Sequence, residues 1–145
     1  MVVYQLSGTL NLIDALQLDL PAHLIVASDA ARKSYFEIQQ NPNIKKSLKN
    51  KALKSWAHEQ SDAVSSLYDK YLTNLETQNN SHKEKIAECI KNIPDAGQQA
   101  NLKIQQILDN NDITQKQEQT MINAILSPLN GSIVASLMDI NQRCG

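Results

Sequence analysis

Apolar residues in this chain recur at intervals of three and four, and nowhere alternate for long. That period is helical, because residues three and four apart share a helix face. Ser28-Asp29 predicts a helix start, with the hydroxyl as cap, and the helix runs to about Gln40 with Tyr35, Phe36 and Ile38 as its large apolar groups. Asn41-Pro42-Asn43 ends it, since proline disfavours a helical residue before it. From about 44 to 59, Leu48, Ala52, Leu53 and Trp56 form a second face. Asp62 caps the next helix, whose stripe is Val64, Leu67, Tyr68, Tyr71 and Leu75. Carried onward at ~100° per residue, the same side receives Ile86, Cys89, Ile90 and Ile93. The phase survives the polar stretch TQNNSHKEK, so one long helix over about 62–92 is predicted. Gln78, Asn79 and His82 stand where apolar residues would be, which marks its middle as an exposed strut.

Pro94 suits the first position of a further helix, buried through Ala96, Ala100, Ile104, Ile107 and Leu108. That helix ends in DNND. Thr114 and Gln117 have capping-box spacing and open another, with Met121, Ile122, Ile125 and Leu126 facing inward. Ser127-Pro128 predicts a last start, and Leu129, Ile133, Leu137 and Ile140 carry the stripe to about Gln142. Ahead of all these, TLNLIDALQLDLP predicts a short helix stopped before Pro21. The expected fold is all-α, with five to six helices in a single domain over 1–145.

Two segments resemble one another. IQQNPNIKKSLKNKAL spans 38–53 and ILDNNDITQKQEQTMI spans 107–122. In each, an Ile closes a helix, polar residues follow, and a second Ile opens the next helix after the same interval. Leu53 and Trp56 then correspond to Ile122 and Ile125. The layout is two helix–loop–helix units joined by a long central helix, calmodulin-like in plan.

Composition narrows the function. The net charge is −1, which disfavours non-specific nucleic-acid binding, a task that needs many phosphate-neutralising cations. No apolar run approaches the ~20 residues of a membrane span. The opening MVVYQLSGTL carries no basic leader or long apolar segment, so it reads as a cytosolic start or as a mature secreted chain with an added Met. Lysines 45, 46, 49, 51 and 54 share a segment without acids, and read as a solvated face whose stems cover apolar surface, with an anionic partner as the alternative. Asn79 and Asn130 begin glycosylation sequons.

Candidate chemistry is sparse. An EF-hand loop requires oxygens at fixed positions, a central Gly and a Glu at the twelfth. Counted from Asp109, the fifth position is Ile113, the sixth Thr114 and the twelfth Thr120, so the loop is not an EF-hand. Asp109, Asn111 and Asp112 remain candidate ligands for a hydrated Mg²⁺ or Ca²⁺, against the commoner role of Asp and Asn as cap and turn residues. His23, His58 and His82 have no metal-like spacing. No nucleophile elbow, P-loop or dinucleotide-binding motif occurs, so no catalytic residue is named. Cys89 lies on an apolar stripe and reads as a buried thiol or as half of a disulfide with Cys144, which implies an oxidising compartment.

LPAHLIVASDAARKSYFEIQQNPNI (20–44), ALKSWA (52–57) and IPDAGQQANLKIQQILDNNDITQKQEQTMINAI (93–125) occur in that order. Together they resemble the SXP/RAL-type family of secreted nematode antigens and allergens over about residues 20–126. The resemblance implies a helical fold, secretion, host antibody recognition, a domain described as cation-binding, and no enzyme activity. Lysines in NPNIKKSLKNK at the first break would repel a cation. The expected function is a secreted, non-enzymatic antigen acting by binding, with Mg²⁺ or Ca²⁺ involved. Two alternatives stand beside it: a carrier of a small apolar ligand such as a fatty acid or sterol, held among the Ile, Leu and Met residues of 104–140, and a module docking on a host or parasite protein.

Overall fold

The computed structural model describes residues 20–144, so the short helix expected in TLNLIDALQLDLP lies outside the described residues. Among the described residues seven α-helices follow one another: α1 (Ala22–Ile25), α2 (Asp29–Gln39), α3 (Lys46–Glu59), α4 (Asp62–Cys89), α5 (Asp95–Asp109), α6 (Gln115–Leu126) and α7 (Gly131–Arg143). A 3₁₀ turn, Ile90–Asn92, continues α4. No strand occurs among the described residues, and the all-α class stands with one or two helices more than expected. The helix without a predicted counterpart is α1. The four residues of α1 are too few to show a helical period.

The chain divides into two compact units. Of the described residues, one holds 20–41 together with Lys49–Thr73; the other holds Pro42–Leu48 and 74–144.

In the first unit, α2 starts where its sequence requires, with the Ser28 side chain accepting from the Ala31 N–H. The core is Leu24, Ala27, Ala31, Tyr35, Leu53, Trp56, Ala57, Val64 and Tyr68. Trp56 buries its ring and donates its Nε1–H to the Ala31 carbonyl at 2.8 Å, so its one polar atom is satisfied. Arg32 is buried as well. Its Nη1 donates to the carbonyls of Ala27 at 2.7 Å and Leu24 at 3.1 Å, and its Nη2 pairs with Asp29. It thereby satisfies carbonyls at and after the end of α1 that the short helix leaves open.

In the second unit, α5 packs on both α6 and α7. Gly97 permits the approach: a Cβ there would meet Ile93 Cδ1 at 2.6 Å and Ile133 Cγ2 at 3.3 Å. Thr114 opens α6 with a complete capping box. Its hydroxyl accepts from the Gln117 N–H at 3.0 Å, and the Gln117 side chain accepts from the Thr114 N–H at 2.9 Å. Thr114→Ala removes one half of this exchange and is expected to lower stability by about 1 kcal/mol in urea titration.

Five apolar assignments move outward: Leu48, Leu75, Ala96, Leu108 and Met121. Leu48 is 53% exposed. For Leu48 the cause is helical phase. Lys46, Lys49, Leu53 and Trp56 share one face of α3, and Leu48 lies ~100° from Lys49. The last helix also starts later than Ser127-Pro128 suggests. Ser127 caps the end of α6, and Asn130 opens α7 by accepting from the Ser132 N–H at 2.8 Å.

Candidate functional site

The two loops singled out by the internal repeat lie side by side in the second unit. Lys45 and Thr114 form an isolated antiparallel bridge. The Lys46 N–H donates to the Ile113 carbonyl at 3.0 Å. Two further bonds are mirror copies under the shift that places Ile38 on Ile107: Ser47 N–H to the Asn111 carbonyl at 2.9 Å, and Lys116 N–H to the Pro42 carbonyl at 3.2 Å. Lys45 and Thr114 are themselves equivalent positions. Such reciprocity is what a local two-fold relation between the loops produces.

Beside this pairing lies a cluster of oxygens. Lys46 extends its ammonium onto the end of α5, with Nζ 2.9 Å from the Leu108 carbonyl and 3.5 Å from that of Ile107. The Glu118 carboxylate of α6 completes the contact at 2.5 Å. Carbonyls at a helix C-terminus carry partial negative charge and attract a cation.

The ligand candidates Asp109, Asn111 and Asp112 sit in the exposed turn after α5. The Asp109 carboxylate accepts from Lys83 Nζ at 2.6 Å. The Asn111 carbonyl accepts from Ser47. The Asp112 N–H is held by the Asn110 side chain at 2.9 Å in a local turn. Among the described residues no three His, Cys, Asp or Glu side chains come together as a metal site.

The lysine-rich segment is not a uniformly solvated face. Lys49 is buried, at 8% exposure, and donates to the Gln39 carbonyl at 3.0 Å. Lys49 and Lys46 thus each meet the carbonyl end of a helix, one in each unit. Lys45, Lys51 and Lys54 are exposed as expected. The role of Lys46 was open to inspection in the repeat: Glu118 occupies the position equivalent to Lys49, so the second copy lacks its local cation.

His23, given no role by spacing, lies fully buried in the first unit. Tyr71, Tyr68, Tyr35 and Trp56 surround it, with ring centroids 4.8, 5.1, 5.5 and 6.2 Å away. Among the described residues neither imidazole nitrogen has a hydrogen-bond partner. Burial disfavours the imidazolium and lowers the pKa from 6.5 to about 4. Burial also raises the tyrosines, with Tyr68 pushed up to about 12 and Tyr35 and Tyr71 shifted in the same direction.

Cys89 and Cys144 form a disulfide between the end of α4 and the residue after α7. Asn79 is exposed in the middle of α4, and Asn130 is exposed at the start of α7. The strut expected around Gln78 and Asn79 is exposed, while His82 is half-buried. No helix among the described residues is long and apolar enough to cross a membrane.

Comparison with curated proteins and with solved structures found no match. A family model described as the metal-binding domain of SXP/RAL-2 family proteins, Ani s 5-like, matches residues 8–142. That span takes in both helix–loop–helix units and α7, so the chain belongs to the SXP/RAL-2 family.

Proposed function

We propose that this chain is an extracellular, non-enzymatic protein that acts by binding a protein partner. The observation that carries the extracellular part is the Cys89–Cys144 bond. Disulfides persist in oxidising compartments and are rare where thiol buffers keep cysteines reduced. The family's association with antigens and allergens supports the same reading. Binding is supported by large apolar side chains left in solvent on the second unit: Leu102 on α5 and Met138 on α7 are 57% and 60% exposed. Methionine adapts its shape to varied partners. The non-enzymatic part is supported by where the perturbed titratable groups lie. His23, Tyr35 and Tyr68 are sealed within an aromatic core, out of reach of a substrate. A metal ion, with Mg²⁺ and Ca²⁺ as the candidates, comes to this chain through the family description, since among the described residues no three His, Cys, Asp or Glu side chains come together.

Non-reducing peptide mapping of material recovered from culture fluid of the producing organism is expected to return the Cys89 and Cys144 peptides as a linked pair. Recovery from cell extracts alone, with both thiols free, would overturn the extracellular reading. Photo-crosslinking in the native fluid is expected to join a partner at α5 and α7. The doubly charged variant L102D/M138D should lose those adducts at unchanged helicity. Adducts indifferent to both substitutions would discard this surface.

A further inference from the structure

We infer that the Lys46 ammonium is a built-in cation seated in an all-oxygen cage at the end of α5, and that the cage takes a divalent metal once the lysine is removed. The cage consists of the Ile107 and Leu108 carbonyls and the Glu118 carboxylate. Both Lys46 and Glu118 side chains are only about one-fifth exposed, at 18% and 20%. A carboxylate so placed faces the negative end of a helix, and the two repel unless a positive charge lies between them. An ammonium has three N–H donors and no acceptor, which matches three converging oxygens.

The internal repeat shows why the cation comes from across the loop pair. Placing Ile38 on Ile107 puts Gln39 on Leu108 and Lys49 on Glu118. In the first copy Lys49 itself reaches the helix-end carbonyl, that of Gln39. In the second copy the equivalent residue is an acid, which cannot donate to a carbonyl and adds a negative charge of its own. Lys46 then meets the resulting demand from the partner loop, held there by the bonds from its own N–H and that of Ser47.

Two carbonyls and a carboxylate are the donor set of a hard cation such as Ca²⁺ or Mg²⁺. Ammonium and metal compete for the same oxygens. The ammonium is tethered, so it meets these oxygens as an intramolecular partner, whereas free metal binds them from solution. The cage is therefore closed to a metal in this chain, and a single side chain closes it.

Thermal melts of the full-length chain, with KCl-matched ionic strength, test the proposal. Wild type is expected to move by less than roughly 1 °C in about 10 mM CaCl₂ or MgCl₂. Lys46→Gln is expected to melt roughly 5 °C lower and to regain most of that loss in CaCl₂. Adding Glu118→Gln to Lys46→Gln should abolish the recovery. Wild type rising as far as Lys46→Gln would overturn the proposal. So would a Lys46→Gln variant that ignores both metals, or a recovery that persists without Glu118. A second arm uses the native chain, so that it does not depend on a variant folding. Nitrogen-15 NMR should show a protected Lys46 ammonium, unmoved by CaCl₂; its displacement by the metal would refute internal occupancy.

Discussion

Opening the Cys89–Cys144 bond is expected to cost about 4 kcal/mol of stability and to lower the melting temperature by roughly 10 °C or more. The two cysteines are 55 residues apart, and the closed loop holds all of α5, α6 and α7. Without the bond the unfolded chain regains the freedom of that whole loop. The entropy of closure grows with the logarithm of loop length, and a loop of this size gives about 4 kcal/mol as an upper figure. The folded unit also depends on the tie. The end of α7 would otherwise fray, since only Leu137 and Ile140 are buried in that helix. Urea titration of the native protein, of the protein held in reductant and of the Cys89→Ala/Cys144→Ala double variant measures the effect. The last two should agree with each other and differ from the first. A loss below about 1 kcal/mol in both would show that the reduced chain keeps residual order that already restricts the loop.

Helix existence was legible because each long helix carries its own period. The phase kept from Val64 through Ile86 to Cys89 identified α4 across nine polar residues, and the helix runs unbroken over Asp62–Cys89. Caps at Ser28 and Thr114 were legible because they are local and act within three residues of themselves, whereas the hydroxyl that accepts at the start of α4, from the Val64 N–H at 3.3 Å, is that of Ser61 and not the expected Asp62. The start of α7 was missed because two adjacent signals compete. Ser127-Pro128 and Asn130-Gly131 both resemble a helix opening, and the Asn130 side chain wins by bonding Ser132.

The site was legible only as a repeat. Ile38–Leu53 and Ile107–Ile122 announced two similar breaks, whereas their pairing through Lys45 and Thr114 is a contact between distant segments that periodicity does not report. Asp109 and Asp112 drew notice as oxygen-rich residues, yet the groups that gather around a cation are two backbone carbonyls and Glu118. Carbonyls carry no sequence signature. Composition treats the five lysines alike; helical phase separates the inward pair, 46 and 49, from the outward ones, and the repeat marks Glu118 as an acid where the first copy has Lys49.

Acidification from pH 6.5 to pH 4 is expected to remove about 3 kcal/mol through His23 alone, from its shift of 6.5 to about 4. In the unfolded chain the imidazole takes its proton near 6.5; in the folded chain it resists until about 4. Across that interval the unfolded state binds the extra proton, so stability falls with falling pH. Above 6.5 both states are neutral and the residue makes no pH-dependent contribution; below about 4 both are charged and the loss levels off. The physical cause is the cage. Tyr35 from α2, Trp56 from α3 and Tyr68 and Tyr71 from α4 enclose the ring, and no carboxylate stands among these ring contacts. The three phenols stay neutral throughout the range, because burial raises each of them. Other carboxylates of the chain also take up protons as pH falls, so the His23 share is read as a difference between two proteins. Urea midpoints for wild type and His23→Phe, taken at pH 7, 5.5 and 4, should diverge by about 3 kcal/mol as the pH drops. Phenylalanine fills the same cage without two unpartnered nitrogens, so at pH 7 it should match wild type or exceed it. Parallel pH curves for the two proteins would sink the assignment, and so would an NMR titration placing the His23 midpoint near 6.5.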